Sequence, residues 1–302
     1  MKFLDRQIIE STINKFIPIG EIFYIKQINT GKKNYVYDIT SKKGDFIIKI
    51  YSEKSHPSPT DMEYNILNFL YQDQFPVPRP LDFICDKNTS SILLEKLVGH
   101  SGNMRFVPRH LIPLLNYEAG QILGRLHSYS FDKYGFLNLK NGKLNGIDDS
   151  WKSFLYKEDK YFITCLENIN YETISQDYKA VINKIRYSDS EKSLLHNDFN
   201  PSNAIFDKDL ISGIIDFETS ILGDPNFELL SIETENSWFK TPKEKDSFFK
   251  GYSEVRDIPS SNSDLKEAYS KKKIIKELVF LSKKKLLDEN KKEMLINRYF
   301  SI

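Results

Sequence analysis

The chain has 302 residues, of which 40% are hydrophobic and 28% charged, and its 43 Lys plus Arg against 42 Asp plus Glu leave a net charge of +1 at pH 7. This length suffices for two lobes that each bury a core, whereas the balanced charge gives no argument for nucleic acid or an anionic membrane as a partner. No apolar run approaches the roughly 18 residues of a membrane span, and no secretory apolar core opens the chain. We therefore expect a cytoplasmic, soluble protein with no membrane and no nucleic-acid partner. We expect it to be a monomer or a weak dimer.

The first hundred residues are predicted to be rich in strands. An amphipathic helix opens the chain, with Ile9, Ile13 and Phe16 at helical spacing. Stretches of β-branched and aromatic residues, separated by Gly-containing turns, predict three antiparallel strands: EIFYIKQINTG, NYVYDITSKKG and DFIIKIYSEK. The periodicity of MEYNILNFL predicts a helix that ends before Pro76. Two more strands are predicted from PLDFICD and SSILLEKLV, which gives five strands in this part.

From residue 108 onward the pattern becomes helical. Apolar residues recur at three- and four-residue spacing as far as His127, and helical patterns return within residues 150–187 and after Asn226. Two short strands around the turn DKD interrupt them. Two lysine runs, Lys271 to Lys273 and Lys283 to Lys285, stand among recurring apolar residues, which predicts the solvated face of a packed helix rather than a nucleic-acid patch. The apolar residues are Ile274, Ile275, Leu278, Leu281 and Leu286. A β-rich part followed by an α-rich part predicts an α+β protein with a cleft between two lobes.

Five polar residues stand where a purely structural role is costly or unusual. Lys49 lies in the apolar stretch FIIKIY, and a buried lysine needs an anion, which Glu63 or a phosphate could supply. Asp198 and Asn203 lie five residues apart in one loop, and Asp216 ends the apolar run SGIID, so it should emerge at the end of a strand. Phosphoryl transfer needs these parts: a cation for phosphates, oxygen ligands for Mg²⁺ and a carboxylate that orients the attacking hydroxyl.

Each of these side chains also has a structural interpretation, and the residues alone leave both open. Asp198 and Asn203 could belong to a polar turn. Lys49 could reach solvent from an edge strand. Glu63, three residues after Thr60, could cap its own helix.

The order of several motifs resembles a known family. HNDFNPSN fits the H-x-D-x-x-x-x-N catalytic loop, and IIDFE takes the place of the D-F-G segment of protein kinases. With NYVYDI, MEYNIL, VPRP, LGRLH and LGDPNFELLSI in order, the sequence resembles the aminoglycoside phosphotransferase and choline kinase group of small-molecule kinases. The resemblance implies a bilobal, protein-kinase-like α+β fold. An N-terminal nucleotide-binding lobe would span residues 1–94, a helical catalytic and substrate-binding lobe residues 95–302, and the hinge would lie at about 94–99.

The resemblance also implies a nucleotide site for ATP or GTP with Mg²⁺. Lys49 would hold the α- and β-phosphate oxygens and would be positioned by Glu63. Gly31 would belong to the loop that covers the nucleotide. Glu95 and Leu97 would lie at the hinge, where backbone groups meet the purine.

The catalytic roles follow from the same resemblance. Asp198 would accept a hydrogen bond from the acceptor hydroxyl and take its proton. Asn203 and Asp216 would bind Mg²⁺. His196 would hold the shape of the loop, and Asp224 would bond to the backbone of that loop.

Three departures from protein kinases bear on the acceptor. Glu218 replaces the glycine that follows Asp-Phe, and Asn200 stands where protein kinases have a catalytic-loop lysine. The loop NTGKKNYVY holds one glycine rather than several, which also fits small-molecule kinases better. An activation-loop switch and a protein substrate are therefore not expected.

In this group the acceptor is bound by helices beyond Asp216, and four residues there are substrate-binding candidates. Glu228, Glu233 and Glu235 would attract a polycationic aminoglycoside by Coulomb attraction. Trp238 belongs to an aromatic pair that could instead contact a quaternary ammonium such as choline.

The sequence thus predicts a nucleoside-triphosphate-dependent O-phosphotransferase for a hydroxyl of a small cationic molecule. An aminoglycoside-type antibiotic is the first choice, which would make the protein a resistance kinase. A choline, ethanolamine or homoserine kinase is the metabolic alternative. A nucleotide-binding pseudokinase or interaction module is the alternative of another class, although the retention of Lys49, Asp198, Asn203 and Asp216 argues against it.

Overall fold

The computed structural model of the chain divides into two compact units. It describes residues 6–28, 34–51, 59–86, 89–102, 107–140, 142–184, 191–235 and 238–302. The first unit consists of Met1–Glu118, Asn138–Leu144 and Pro201–Thr219, and the second of Ala119–Leu137, Asn145–Asn200 and Ser220–Ile302. Compactness does not locate a hinge, so the predicted lobe boundary at residues 94–99 stays a prediction.

Helices and strands alternate with short loops throughout the described ranges. The helices are α1 (Arg6–Phe16), α2 (Pro59–Gln72), α3 (Ile112–His127), α4 (Trp151–Asn168), α5 (Glu172–Lys184), α6 (Pro225–Glu235), α7 (Pro242–Val255), α8 (Ser263–Lys283) and α9 (Glu289–Phe300). The strands are β1 (Ile22–Ile28), β2 (Asn34–Ser41), β3 (Gly44–Tyr51), β4 (Pro80–Cys85), β5 (Ser90–Glu95), β6 (His100–Ser101), β7 (Tyr134–Lys140), β8 (Lys143–Asp148), β9 (Ser193–Leu195), β10 (Ala204–Asp207), β11 (Leu210–Ile214) and β12 (Ile221–Gly223).

The first unit contains the predicted five-stranded antiparallel sheet, in the order β1-β2-β3-β5-β4. Ser41 faces Gly44 at the tight turn between β2 and β3, and Gly44 adopts a φ of 126°, which suits a residue without a side chain. Since β3 pairs with β2 on one side and β5 on the other, it is an inner strand. Lys49 therefore does not lie on an edge strand.

Two helices bury apolar faces in this unit. Ile13 of α1 belongs to a core cluster with Ile39 and Ile48 of the sheet. Leu67 of α2 is fully buried, and the helix packs against β4. Glu63 lies one turn earlier on α2 and is also buried, so its carboxylate must find partners inside the protein.

A smaller sheet of the first unit has the order β11-β10-β6, and two of the predicted site residues flank its strands. Asn203 ends the short 3-10 helix Pro201–Asn203 immediately before β10, and Asp216 follows β11 by two residues. The backbone N–H of Ile215 donates to the carbonyl of Asn203 at 2.9 Å, so the two segments are held side by side.

The second unit is mainly helical, as predicted, but it also contains most of a four-stranded sheet in the order β8-β7-β12-β9. The sequence pattern does not predict β7 and β8. Trp151 of α4, which is fully buried, packs with Phe227 of α6 in the core beside this sheet.

The lysines of α8 depart from the prediction of a solvated face. Lys271 and Lys272 are only 6% and 2% exposed. Their ammonium groups lie 2.8 Å from Asp177 and 2.6 Å from Asp159, respectively. The helix is packed as predicted and Lys283 is exposed, but Lys271 and Lys272 are paired inside the unit because carboxylates of α4 and α5 compensate their burial.

No helix in the part of the chain that the structure describes is long and apolar enough to cross a membrane. The predicted cytoplasmic location and oligomeric state stay predictions.

Candidate active site

The first candidate cluster is a buried lysine surrounded by carboxylates, in the first unit. Lys49 Nζ lies 2.8 Å from Glu63 Oε2, 2.6 Å from Asp216 Oδ1 and 3.1 Å from Glu218 Oε2. The Lys49 side chain is 8% exposed. The ion pair between Lys49 and Glu63 that the sequence suggests is therefore present, and two further acids share the same ammonium.

The electrostatics keep Lys49 charged. Burial alone would lower the pKa of Lys49, but Glu63 and the other acidic neighbours outweigh burial and raise that pKa well above its ordinary value. Burial raises the pKa of Glu63, against the attraction of Lys49. The Tyr51 hydroxyl donates to Glu63 as well. Since the Glu63 carboxylate faces Lys49 and Tyr51, its main role is not to cap α2.

Asp216 reaches Lys49 through an unusual backbone conformation. Its φ is +70°, in the left-handed region that residues other than glycine rarely adopt. Such strain costs on the order of 1–3 kcal/mol, and it is found mainly at functional sites. The next residue, Phe217, is fully buried and fixes the segment in place.

The donor set around Lys49 fits a hard divalent cation. Glu63, Asp216 and Glu218 each offer a carboxylate oxygen, and these oxygens lie within 4.8 Å of one another. Oxygen ligands of this kind suit Mg²⁺. The sequence pairs Asp216 with Asn203 for this purpose. Asn203 is 8% exposed and lies next to the same segment through its carbonyl.

The second candidate cluster is the catalytic-loop motif, in the second unit. Glu228 of α6 accepts the backbone N–H of His196 at 2.9 Å and that of Asn197 at 2.6 Å. Asn197 has a φ of +64°, so the loop turns sharply where Glu228 holds it. This is the contact that the sequence assigns to Asp224. Asp224 instead accepts the N–H of Asn226 at 2.9 Å, at the start of α6.

The surroundings keep Glu228 ionised. Burial would raise the pKa of Glu228, but a hydrogen bond from His127 and nearby positive groups lower that pKa below its ordinary value. His127 Nε2 lies 3.1 Å from Glu228 Oε2, and His127 Nδ1 lies 3.0 Å from the Tyr252 hydroxyl. Because an ionised carboxylate only accepts, His127 carries its proton on Nε2. Burial lowers the pKa of His127, so the ring is neutral at pH 7.

Asp198 lies just beyond this held backbone, and its side chain is exposed. Asn200 Nδ2 donates to Asp198 Oδ1 at 3.0 Å. The next residue is an anchor: Phe199 is 4% exposed and stacks on Trp238, whose Nε1 donates to the Phe199 carbonyl at 3.1 Å. The loop thus presents a carboxylate to solvent from a rigid support, which is the arrangement that a proton acceptor needs.

The residues predicted to bind the acceptor are mostly engaged elsewhere. Glu228 holds the loop, and Trp238 is 1% exposed. Glu233 pairs with Lys245 at 2.5 Å and with Lys266 at 3.2 Å. Their acceptor-binding roles stay predictions. Glu228 and Glu233 already have partners within the protein, so they offer less uncompensated negative charge to an acceptor than the sequence suggests.

For four other predicted site residues, Gly31, Glu95, Leu97 and Glu235, the structure gives little or no information on a ligand. Gly31 and the side chain of Glu235 lie outside the described residues. At the predicted hinge, the N–H of Glu95 donates to the carbonyl of Arg79 at 3.0 Å. A side chain at Gly213 would lie 2.6 Å from Leu97 Cδ1, so Leu97 packs closely on β11.

One residue beside Asp198 was missed by sequence reasoning. A small pocket in the second unit is lined by Asn197, Phe199, Glu228, Ser231, Ile232 and Lys273. Lys273 Nζ lies 3.5 Å from the Asn197 carbonyl. Lys273 stands in a run of lysines on α8, and nothing in that run distinguishes it from its neighbours.

Comparison with solved structures identifies the class of fold. The crystal structure of aminoglycoside phosphotransferase APH(4)-Ia superposes with a TM-score of 0.69, with 12% identity and 98% of each chain covered. The gentamicin complex of APH(2")-IIa gives 0.68 with 17% identity over 100% of this chain and 98% of that one. A putative fructosamine-3-kinase from Haemophilus somnus 129PT gives 0.68 with 17% identity over 96% of each. The chain therefore has the protein-kinase-like fold of these small-molecule kinases.

The family follows from the sequence match. A model described as the phosphotransferase enzyme family matches residues 25–260, so the chain belongs to that family. Among curated proteins, the homoserine kinase of Zymomonas mobilis subsp. mobilis is 21% identical over 215 residues. That match covers 69% of this chain and 63% of the homoserine kinase.

Proposed function

We propose that the protein transfers the terminal phosphoryl group of a nucleoside triphosphate to a hydroxyl of a small molecule. The observation that carries this proposal is the buried Lys49, held between Glu63 and Asp216. Burying a cation in this way has no packing benefit, since an apolar residue of similar size would be cheaper to bury. A polyphosphate ligand supplies the reason for the ammonium.

Each residue then has a defined task. Lys49 binds phosphate oxygens, and Glu63 fixes the direction of its ammonium. Asp198 accepts the hydrogen bond of the acceptor hydroxyl, orients it for attack and takes its proton. Asp216 and Asn203 hold Mg²⁺, which neutralises phosphate charge when it is bound. The neighbour APH(4)-Ia is known in a ternary complex with ADP and hygromycin B, which supports a nucleotide as the donor, ATP or GTP.

For the acceptor, an aminoglycoside-type antibiotic remains the first candidate. Its support is the likeness of fold to kinases solved with hygromycin B and gentamicin. The Coulomb attraction expected from Glu228 and Glu233 contributes less than their number suggests. Glu228 is buried and already accepts hydrogen bonds from His127 and two backbone N–H groups, and two lysines pair with Glu233. Choline and ethanolamine lose support for a related reason, since Trp238 is buried beneath Phe199.

A homoserine-like amino acid alcohol is the second candidate. Lys273 favours it, because its ammonium lies 3.5 Å from the Asn197 carbonyl, next to the loop that carries Asp198, where it suits an acceptor that carries a carboxylate. The homoserine kinase relative points the same way. The two candidates therefore differ in the charge that the acceptor should present to Lys273.

A coupled phosphate-transfer assay tests the proposal. ATP and GTP are each supplied with Mg²⁺, and the acceptors are hygromycin B, gentamicin, homoserine, choline and ethanolamine. We expect turnover with one acceptor class and its loss in Asp198→Asn, which keeps the shape of the side chain but cannot accept the proton. Undiminished turnover by Asp198→Asn would falsify the mechanism. A chain that binds no nucleotide under any of these conditions would be a pseudokinase or interaction module instead.

A further inference from the structure

Helix α7 and its C-cap residue contact the elements that hold the catalytic-loop motif. Three residues make these contacts at a spacing of four, namely Phe248, Tyr252 and Arg256. Arg256, the C-cap, donates to the backbone carbonyl of His127 and, at 3.2 Å, to the hydroxyl of Ser193 in β9. Since β9 ends immediately before the motif, the strand that leads into it is tied to α7.

Two glycines of α3 allow α7 to come this close. A Cβ atom on Gly120 would lie 1.9 Å from the carbonyl oxygen of Phe248, and one on Gly124 would lie 3.1 Å from that of Tyr252. Glycine weakens the interior of a helix relative to alanine, so two glycines one turn apart need a packing reason. The close approach of α7 is that reason.

The contact of Phe248 leads to the residue after Asp198. Phe248 is fully buried and packs against Trp238, with 6.3 Å between the ring centroids. Trp238 in turn stacks on Phe199 and donates to its carbonyl at 3.1 Å. An aromatic column that begins on α7 therefore supports Phe199.

The contact of Tyr252 is a chain of hydrogen bonds that leads to the residue before Asp198. His127 donates from Nε2 to Glu228, so its Nδ1 can only accept, and the Tyr252 hydroxyl at 3.0 Å is the donor. Burial and nearby carboxylates raise the pKa of Tyr252 well above its ordinary value, so this hydroxyl keeps its proton. Glu228 then accepts the N–H of Asn197 at 2.6 Å. Only one orientation of the imidazole ring satisfies both of its nitrogens.

We infer that Tyr252 is a positioning residue for Asp198, and that it acts by fixing the tautomer and orientation of the His127 ring. This inference rests on the proposed function. With the hydroxyl in place, Glu228 meets an N–H of fixed direction and holds the backbone on one side of Asp198. Without it, the ring keeps one partner of two and the support loosens. Tyr252 is fully buried, so its effect should fall on the rate of phosphoryl transfer rather than on binding.

Two variants of the full chain test the inference, because each deletes the hydroxyl of one buried tyrosine. Tyr252→Phe removes the donor to His127. Tyr299→Phe is the matched control, since Tyr299 is 1% exposed and donates to Asp177 at 2.9 Å, which joins α9 to α5. Hydrogen exchange of the Asn197 amide measures the loop without any turnover. The values of kcat and KM are measured with ATP, Mg²⁺ and each acceptor that turns over in the assay above.

For Tyr252→Phe, we expect exchange at Asn197 to be about tenfold faster and kcat to be about tenfold lower, with both KM values unchanged. Tyr299→Phe should change none of these, even where it lowers the Tm equally. In the unaltered protein, ¹⁵N NMR of the histidine rings should show His127 protonated on Nε2.

Protonation of His127 on Nδ1 in the unaltered protein would overturn the inference, even if no variant folds. Equal changes in both variants, or a loss of stability alone in Tyr252→Phe, would assign Tyr252 a structural role only. A raised KM with unchanged kcat would place its effect on binding. Failure of the unaltered protein to turn over any acceptor would remove the proposed function, whereas exchange at Asn197 would still decide whether Tyr252 holds the loop.

Discussion

His127 and Glu228 form a buried hydrogen-bonded pair, with 3.1 Å between Nε2 and Oε2 and both side chains at most 2% exposed. The same carboxylate accepts two backbone N–H groups of the loop that ends at Asp198. His127 of α3 is therefore connected to the backbone of the catalytic-loop motif through Glu228 of α6. We regard Glu228 as a positioning residue, since none of its described contacts is with the Asp198 carboxylate itself.

Replacement of Glu228 should impair turnover more than nucleotide binding. Gln cannot accept as strongly from both N–H groups, so the loop should loosen and kcat should fall by about 10²-fold. Unfolding free energy should fall by about 2–3 kcal/mol. Nucleotide affinity should change little, because the residues proposed to bind phosphate, Lys49 and Glu63, belong to the first unit and Glu228 to the second. Steady-state kinetics and chemical denaturation measure these effects, with Glu254→Gln on the exposed face of α7 as the control.

Partial recovery of kcat is expected in Glu228→Asp, which keeps the carboxylate. A variant that loses only stability would show that the loop does not depend on this carboxylate.

The same pair should make the protein less stable as the pH falls. Burial lowers the pKa of His127 below its ordinary value of 6.5, so below about pH 6.5 the unfolded chain takes up a proton that the folded chain refuses. The lowered pKa of Glu228 adds a further loss at more acidic pH, where the unfolded carboxylate is protonated first. Thermal unfolding from pH 7.5 to 5.5 should therefore show a falling Tm, and His127→Gln should flatten the fall. An unchanged slope in that variant would assign the pH dependence to other groups.

The sequence could predict the ion pair between Lys49 and Glu63. It could not predict which acidic residue holds the backbone of the catalytic-loop motif. Lys49 and Glu63 could be paired because a lysine in an apolar strand needs an anion and the next helix carries one. Glu228 and Asp224 lie four residues apart on the same segment, and only the direction of α6 decides which of them reaches the loop. Nothing in the local pattern fixes that direction.

Two of the strands that the sequence pattern does not predict, β7 and β8, have a similar cause. Asn and Lys are frequent in these strands and Phe136 and Ile147 are exposed, so the alternation of buried and exposed residues is weak. Pairing of β7 with β12, which is distant in sequence, stabilises the strand. Tertiary contact therefore overrides local propensity at this position.

Removal of the Lys49 ammonium should separate stability from binding. Lys49→Met leaves Glu63, Asp216 and Glu218 facing one another without a cation, which should cost about 3–5 kcal/mol of unfolding free energy. Nucleotide binding should be lost as well. Adding Glu63→Gln removes one uncompensated buried charge and should restore much of the stability but none of the binding. Denaturant titration and calorimetry measure the two quantities. Nucleotide binding by the double variant would contradict the role proposed for Lys49.

Lys273 gives a test of the acceptor that does not depend on the nucleotide residues. If the acceptor presents a carboxylate to Lys273, Lys273→Met should raise the KM for that acceptor about tenfold, because a charge-assisted hydrogen bond is lost, while the KM for ATP should stay the same. A polycationic aminoglycoside predicts the opposite sign, since removal of a positive charge near Asn197 should leave its KM unchanged or lower it. Lys243→Met, on the exposed start of α7, removes the same charge away from the pocket and serves as the control. Initial rates with each acceptor that turns over decide between the two, and a lower KM for homoserine in Lys273→Met would exclude the carboxylate contact.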